Sequence, residues 1–158
     1  MVALTARRAK AGDAELLRSW RNDPETRRRS FTKTTVSVAE HEAWLHTRLA
    51  SERTAIWIFS DGDVAVGQVR VDVDGDVAEV SIVVAPERRG RGFGKAMLSE
   101  AMRLLRRDFG SGVRARALVL DDHDASLRTF RACGFRVVGP AARDDGQRAT
   151  VLELEAGR

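Results

Sequence analysis

Hydrophobic and polar positions change period along the chain, and each change marks an element. Val2, Leu4 and Ala6 alternate with more polar neighbours, which predicts a first strand over 2–8. After Gly12-Asp13, the residues Leu16, Leu17 and Trp20 share one helical face. Asn22-Asp23-Pro24 stops that helix and starts another, since proline fits the first turn of a helix. Ser37-Val38-Ala39-Glu40 is a capping box ahead of Trp44, Leu45 and Leu49, and predicts a third helix. The middle turns to β-branched runs, 55–59, 64–71 and 77–84, separated by Asp61-Gly62 and Asp74-Gly75-Asp76. Acidic-glycine turns between such runs predict an antiparallel meander. Helical spacing returns over about 92–107, with Phe93, Met97, Leu98, Ala101, Leu104 and Leu105 on one side. A strand at 115–120, a helix at 124–133 and strands at 135–138 and 149–154 complete the chain. This order predicts a mixed α+β fold, one sheet with helices on its faces.

Composition adds boundaries. The chain has 158 residues, enough for one self-sufficient core, and no linker or repeat divides it, so 1–158 is read as a single domain. No apolar run reaches the roughly 18 residues of a membrane span, and the N-terminus carries no apolar leader. The expectation is a cytoplasmic protein without membrane contact. The single cysteine, Cys133, excludes an internal disulfide and a multi-cysteine zinc site. Asp121, Asp122 and Asp124 lie at a helix start, where acidic side chains serve as caps, so no metal is expected. Lys+Arg number 27 against 23 acids, and only three of the basic residues are lysines. Arginine forks suit phosphate oxygens. Tyrosine is absent and aromatics do not interleave with the basic residues, so nucleic acid is not the expected partner. A small phosphorylated ligand fits better.

The segment from Val80 to Lys95 places a buried strand before a loop with Gly90, Gly92 and Gly94, followed by a helix. Glycines let the backbone approach a ligand, and the helix start offers unpaired N–H groups and a partial positive charge. That is an anion site suited to a pyrophosphate. Arg89 stands where a P-loop needs its first glycine, and Lys95 stands where a dinucleotide fingerprint needs its last, so neither loop type applies.

Arg89-x-x-Gly92-x-Gly94 resembles the Arg/Gln-x-x-Gly-x-Gly/Ala signature of the GNAT superfamily of N-acetyltransferases. His123-Asp124-Ala125-Ser126-Leu127-Arg128-Thr129-Phe130-Arg131-Ala132-Cys133-Gly134-Phe135 resembles the Asn-x-x-Ser-x-x-x-Tyr-x-x-x-Gly-Phe segment of the same superfamily. The resemblance runs from about Leu4 to Leu154. It implies a mostly antiparallel, splayed sheet of six to seven strands with helices on both faces, and acetyl-CoA as cosubstrate. It assigns cofactor binding to Val83, Val84, Ala85, Arg89, Gly90, Arg91, Gly92, Gly94, Lys95, His123, Ser126 and Phe130. Backbone N–H groups near Val83 and Ala85 would hold pantetheine and polarise the thioester carbonyl. Two departures matter. His123 replaces the asparagine, and Phe130 replaces the tyrosine whose hydroxyl is the proposed acid in many relatives, leaving water or Ser126 to protonate the thiolate.

Trp20-Arg21-Asn22-Asp23-Pro24 and Glu40-His41-Glu42-Ala43-Trp44-Leu45 resemble one GNAT branch. That branch holds ribosomal-protein N-terminal acetyltransferases and the UDP-4-amino-sugar N-acetyltransferases of pseudaminic acid biosynthesis. The likeness implies an acceptor wall with Arg21, Asn22 and Trp44, and a diphosphate-bearing acceptor near Arg21 and Arg27-Arg28-Arg29. Catalysis needs a base for the amine. Glu79, at the acidic position of the third meander strand, is one candidate if burial raises its pKa; His41 is the other. The expected reaction is acetyl transfer from acetyl-CoA to a primary amine of a small molecule. Its rivals are a protein N-terminal acetyltransferase, a non-catalytic acyl-CoA-binding module and a basic nucleic-acid-binding domain. The resemblance also makes a homodimer an expectation, although no residue marks an interface.

Overall fold

The computed structural model describes residues 3–141, 143 and 145–157. Strand β1 (Thr5–Arg8) leads through a 3-10 turn into α1 (Ala14–Asn22), the short α2 (Pro24–Arg28) and α3 (Val38–Ala50). The meander β2 (Thr54–Asp61), β3 (Val64–Asp74) and β4 (Val77–Val84) follows, then α4 (Phe93–Phe109), β5 (Arg114–Leu120), α5 (Asp124–Ala132), β6 (Arg136–Ala141) and β7 (Ala149–Leu154). The seven strands form one sheet in the order β1-β2-β3-β4-β5-β7-β6. All neighbours are antiparallel except β4 and β5.

Two packing layers follow from strand alternation. Val69, Val71 and Val73 of β3 point to one face, where Met97, Leu98, Ala101 and Leu105 of α4 and Phe130 of α5 close the main core. Leu17 and Trp20 of α1, Leu45 of α3, and Ile56 and Ile58 of β2 close a smaller core on the opposite face. Helices therefore lie on both faces, as the pattern predicts. Ser37 caps α3 by accepting from the Glu40 N–H at 3.1 Å, and Asp23 caps α2 by accepting from the Thr26 N–H at 3.0 Å.

Three boundaries differ from the sequence reading. The predicted first strand spans 2–8, but Val2 lies outside the described residues and pairing starts at Thr5. The meander strands run longer at their ends than the apolar cores suggest, because ladder hydrogen bonds extend to Asp61 and Asp74 at the turns. Strand β6 continues through Pro140 to Ala141. A proline is tolerated there because β6 is the outermost strand, with one edge unpaired.

The feature that positions the site is the short contact between β4 and β5. They pair in parallel at Val77↔Arg114, Ala78↔Ala115 and Glu79↔Arg116 only. Beyond those pairs β4 stays with β3, reaching the Gly67↔Val84 pair, while β5 stays with β7. The sheet splays open, leaving the upper halves of β4 and β5 facing one another across a gap.

Candidate active site

The gap between β4 and β5 opens into a cavity of about 800 Å³. Its walls are the upper half of β4, the loop before α4, the first turn of α4, the end of β5 and the start of α5. The segment from α1 to Thr32 and the polar face of β3 close it on the other side.

Hydrogen-bond phase decides which β4 groups face the gap. The Ala85 N–H donates to the Val66 carbonyl at 2.8 Å. In an antiparallel ladder the pairing direction alternates, so Val83 and Ser81 also direct their N–H and C=O groups to β3. The Arg114 N–H donates to the Asp76 carbonyl at 2.7 Å, which places the even-numbered residues on the β5 side. Past the last β4–β5 pair, the N–H groups left without a strand partner are those of Ile82 and Val84. This corrects the expectation for Val83 and Ala85 by one residue. Ala85 is buried with its N–H paired and does not border the cavity, whereas Val83 borders it and packs against the smaller core.

The loop before α4 leaves the start of that helix open. Gly92, at φ +82°, is the N-cap of α4 and supplies no side chain to the helix's free N–H groups. The first turn holds no acid, so those donors and the helix dipole stay available to an anion. Cβ atoms added at Gly90 or Gly92 would meet nothing within 4 Å, an open cradle in front of the amides. Gly90, Gly92, Gly94 and Lys95 border the cavity; Arg91 is exposed and does not. Arg89 borders it too, but its guanidinium is spent on Asp23 at 2.9 Å and on the Thr26 hydroxyl at 2.8 Å. The Arg89 side chain therefore ties the loop to α2.

At and along α5, His123, Ser126 and Phe130 border the cavity, joined by Arg128 and Thr129. Burial, with the nearby Arg29 charge second, lowers the His123 pKa to about 4, so the imidazole is neutral at neutral pH. Phe130 is 2% exposed and packs edge-on against Phe135, centroids 5.0 Å apart, so the position offers no proton donor.

The base and acceptor residues are redistributed. Glu79 sits at the apex of the splay, in the last β4–β5 pair; it is exposed and does not border the cavity. His41 is 5% exposed, lies 5.5 Å from the Trp44 ring and does not border the cavity. Burial and the Arg18 charge depress its pKa, so it is a neutral histidine of the α1–α3 layer. Asn22 uses its whole amide on the loop backbone. Its Nδ2 donates to the Val36 carbonyl and its Oδ1 accepts from the Val36 N–H, both at 2.8 Å. Trp44 stands outside the cavity beneath two guanidinium groups, Arg48 at 5.6 Å and Arg70 at 5.2 Å. The Arg27-Arg28-Arg29 run is no open phosphate site. Arg27 donates to the carbonyls of Asn22 and Lys33, and Arg28 and Arg29 both pair with Glu25.

Arg21 does line the cavity, and beside it the structure adds Gln68, Arg70, Ser81 and Ile82, which sequence reasoning missed. The signal for Gln68 and Arg70 was present: they alternate with buried Val69 and Val71, so they share the other face of a strand. Arg70 is held by Asp72 at 2.9 Å, and the same carboxylate takes Arg48 at 2.9 Å. Among the described residues, no group of three His, Cys, Asp or Glu side chains could hold a metal ion, and no helix is long and apolar enough to cross a membrane.

Comparison with known proteins places this geometry. A family model described as an acetyltransferase (GNAT) domain matches residues 3–136. A Bacillus subtilis (strain 168) protein described as the uncharacterized N-acetyltransferase YfmK is 24% identical over 140 residues, covering 89% of this chain and 90% of that one. The fold is similar to spermidine N-acetyltransferase from Vibrio cholerae, solved with CoA and spermine. The TM-score is 0.82 at 18% identity, over 97% of this chain and 95% of that one. It is also similar to the aminoglycoside acetyltransferase AAC(6')-Ib, solved with coenzyme A, with a TM-score of 0.79 at 18% identity over 94% of each chain.

Proposed function

Because the chain belongs to the GNAT acetyltransferase family, we propose that its β4–β5 cleft binds acetyl-CoA and delivers the acetyl group directly to a small primary amine held against α1 and β3. The family makes the chain an acetyl-CoA-dependent N-acetyltransferase; the substrate class and the residue roles are the proposal. One observation carries it: the unpaired Ile82 and Val84 N–H groups run toward the uncapped start of α4 behind the open Gly90–Gly92 cradle. That is a continuous line of donors, with an anion site at one end.

Acetyl-CoA supplies the activated acetyl thioester. The chain supplies placement and polarity. The amides at the start of α4, with Lys95 and Arg128 at the cavity edge, receive the pyrophosphate. Ile82 and Val84 N–H groups donate to the pantetheine arm and to the thioester oxygen as it gains charge. His123 and Ser126 offer hydrogen bonds from α5.

The attacking amine must be neutral and must lose a proton as its nitrogen bonds to the carbonyl carbon and the C–S bond breaks. We assign the base to Glu79 acting through water, which suits a carboxylate at the solvent-exposed apex of the splay. The departing thiolate takes its proton from Ser126 or from water, since Phe130 has none to give.

For the acceptor, the solved neighbours act on spermidine and on aminoglycosides, which supports a small-molecule amine over a protein terminus. A nucleotide-linked amino sugar is the finer reading, favoured by the arginine content of the cavity wall. Acetyl-CoA-dependent thiol release across a panel of amines tests the proposal. Turnover with small amines supports it, and CoA binding without turnover on any amine or peptide would identify a non-catalytic acyl-CoA-binding module instead.

A further inference from the structure

The acceptor side of the cavity has an electrostatic signature. Glu25 is the one acidic side chain on the cavity wall among the described residues, and Arg28 and Arg29 already neutralise it at 2.6 and 2.9 Å. On the same cavity's β3 wall, Arg70 shares the Asp72 carboxylate with Arg48, so two guanidinium groups draw on one acid and the cluster keeps a net positive charge.

Arg21 pairs with no carboxylate among the described residues. Its Nη2 donates to the Thr32 carbonyl at 3.2 Å, and its Nη1 is buried without a partner. Burial, and after it the neighbouring Arg27 charge, work against its positive charge and lower its pKa. Gln68, on the same wall, carries the complementary deficit: its Oε1 is buried with no donor. Buried, unpaired polar atoms are costly, and a pair of them lining one cavity marks what a ligand should bring. The donor asks for an anion; the acceptor asks for an N–H. Gln68 stands opposite Val83 in the β3–β4 ladder, beside the Ile82 and Val84 amides assigned to the thioester.

We infer that the acceptor is a small amine that also carries an oxyanion, a carboxylate or a phosphate, with Arg21 binding the oxyanion and Gln68 accepting a hydrogen bond from the attacking nitrogen. The inference rests on the acetyl-transfer reading above and narrows it. It separates this site from one built for a polycation, because a second or third ammonium would face Arg21 and Arg70 rather than carboxylates.

Matched amines test it. Glucosamine 6-phosphate against glucosamine isolates a phosphate, β-alanine against propylamine isolates a carboxylate, and spermidine represents the polycation. In thiol-release assays the anionic member of at least one pair should have the higher kcat/KM, by about tenfold or more for a charge-assisted hydrogen bond. The pair that shows the gain identifies the oxyanion. Arg21→Gln should bring that ratio close to one, the anionic member losing far more than the neutral one, with the KM for acetyl-CoA held. Gln68→Leu should lower both members alike. A merely structural role for Arg21 would depress both members together and leave the ratio intact.

Equal use of both members in each pair, a preference for spermidine, or an unchanged ratio in Arg21→Gln would overturn the inference. If no amine turns over, calorimetry on the CoA-loaded protein decides. Retention of an anionic amine by the wild type but not by Arg21→Gln supports the inference, and no retention by the wild type overturns it. Thermal shifts with CoA in each protein locate the failure. An intact CoA shift confines it to the acceptor assignment, whereas a missing shift removes the transfer reading along with it.

Discussion

Gly67→Ala should damage this protein more than its chemistry suggests. Gly67 lies in β3 opposite Val84 and has no left-handed backbone angle, so alanine is conformationally acceptable there. The cost is space. A Cβ at this position would overlap the Val83 carbonyl oxygen, and would stand 2.7 Å from Met97 Cε and 2.9 Å from Sδ. The methionine end can swing aside, but the carbonyl belongs to the β3–β4 ladder and cannot retreat without shifting β4. Overpacking of this kind costs roughly 2–3 kcal/mol, offset by about 0.5–1 kcal/mol from the stiffer unfolded chain. The net loss is about 2 kcal/mol, which for a domain of this size lowers Tm by about 4–8 °C. Thermal unfolding followed by circular dichroism reads it directly. Gly12→Ala is the control, since its Cβ would meet nothing within 4 Å and its φ is ordinary; its Tm should not fall. Because β4 carries the cleft-facing amides, Gly67→Ala should also shrink the stabilisation by CoA. An unchanged Tm and an undiminished CoA shift would refute the close approach of β3 and β4 at this point.

Other outcomes follow from the same contacts. Asn22→Ala removes both hydrogen bonds to Val36 and should cost about 1–3 kcal/mol; steady-state kinetics should show a raised KM for the amine with that for acetyl-CoA held. His123 is bound neutral in the fold, its pKa at about 4 against 6.5 unfolded, so the unfolded chain takes up more protons as pH falls from 6.5 toward 4. Wild-type stability should decline across that window, by about 1–2 kcal/mol once solvent screening at this half-buried site is allowed for; His123→Asn should flatten the decline, and identical pH–Tm profiles would contradict it. Gly92→Glu places a carboxylate and a Cβ at a left-handed position in the anion cradle, and should abolish the thermal shift with CoA. Glu79→Gln should lower kcat at neutral pH while sparing acetyl-CoA affinity, and unchanged rates from about pH 6 to 9 would remove Glu79 from the reaction.

Local signals carried most of the architecture. Asp61-Gly62 and Asp74-Gly75 closed the meander as read, and the Gly90–Gly94 spacing marked the open start of α4, because turns and helix starts are decided by residues a few positions apart. What escaped was set by distant partners. Whether Val83 or Val84 presents its N–H to the gap depends on the Ala85–Val66 hydrogen bond, which no property of Val80–Ala85 reveals. Asn22 and Arg27 looked available to a ligand, yet loop carbonyls from Val36 and Lys33 claim them. Arg89 matched the phosphate-loop motif, but Asp23, a long way back in the chain, holds its guanidinium. Trp20 and His41, read as parts of an acceptor-side motif, are buried in the packing of α1 and α3. Gly67 gave no signal, since a glycine within a strand reads as a weakness until the carbonyl facing it is seen.

The most direct test of the central claim is thermal unfolding with saturating acetyl-CoA, CoA and ATP in parallel. A ligand at a hundred times its Kd stabilises the fold by about 2.7 kcal/mol, a rise of about 5–11 °C for a domain of this size. The account predicts that rise with acetyl-CoA and with CoA, and not with ATP, because pantetheine must follow the β4 amides as well as fill the phosphate cradle. No rise with acetyl-CoA, or an equal rise with ATP, would contradict the assignment of the β4–β5 cleft.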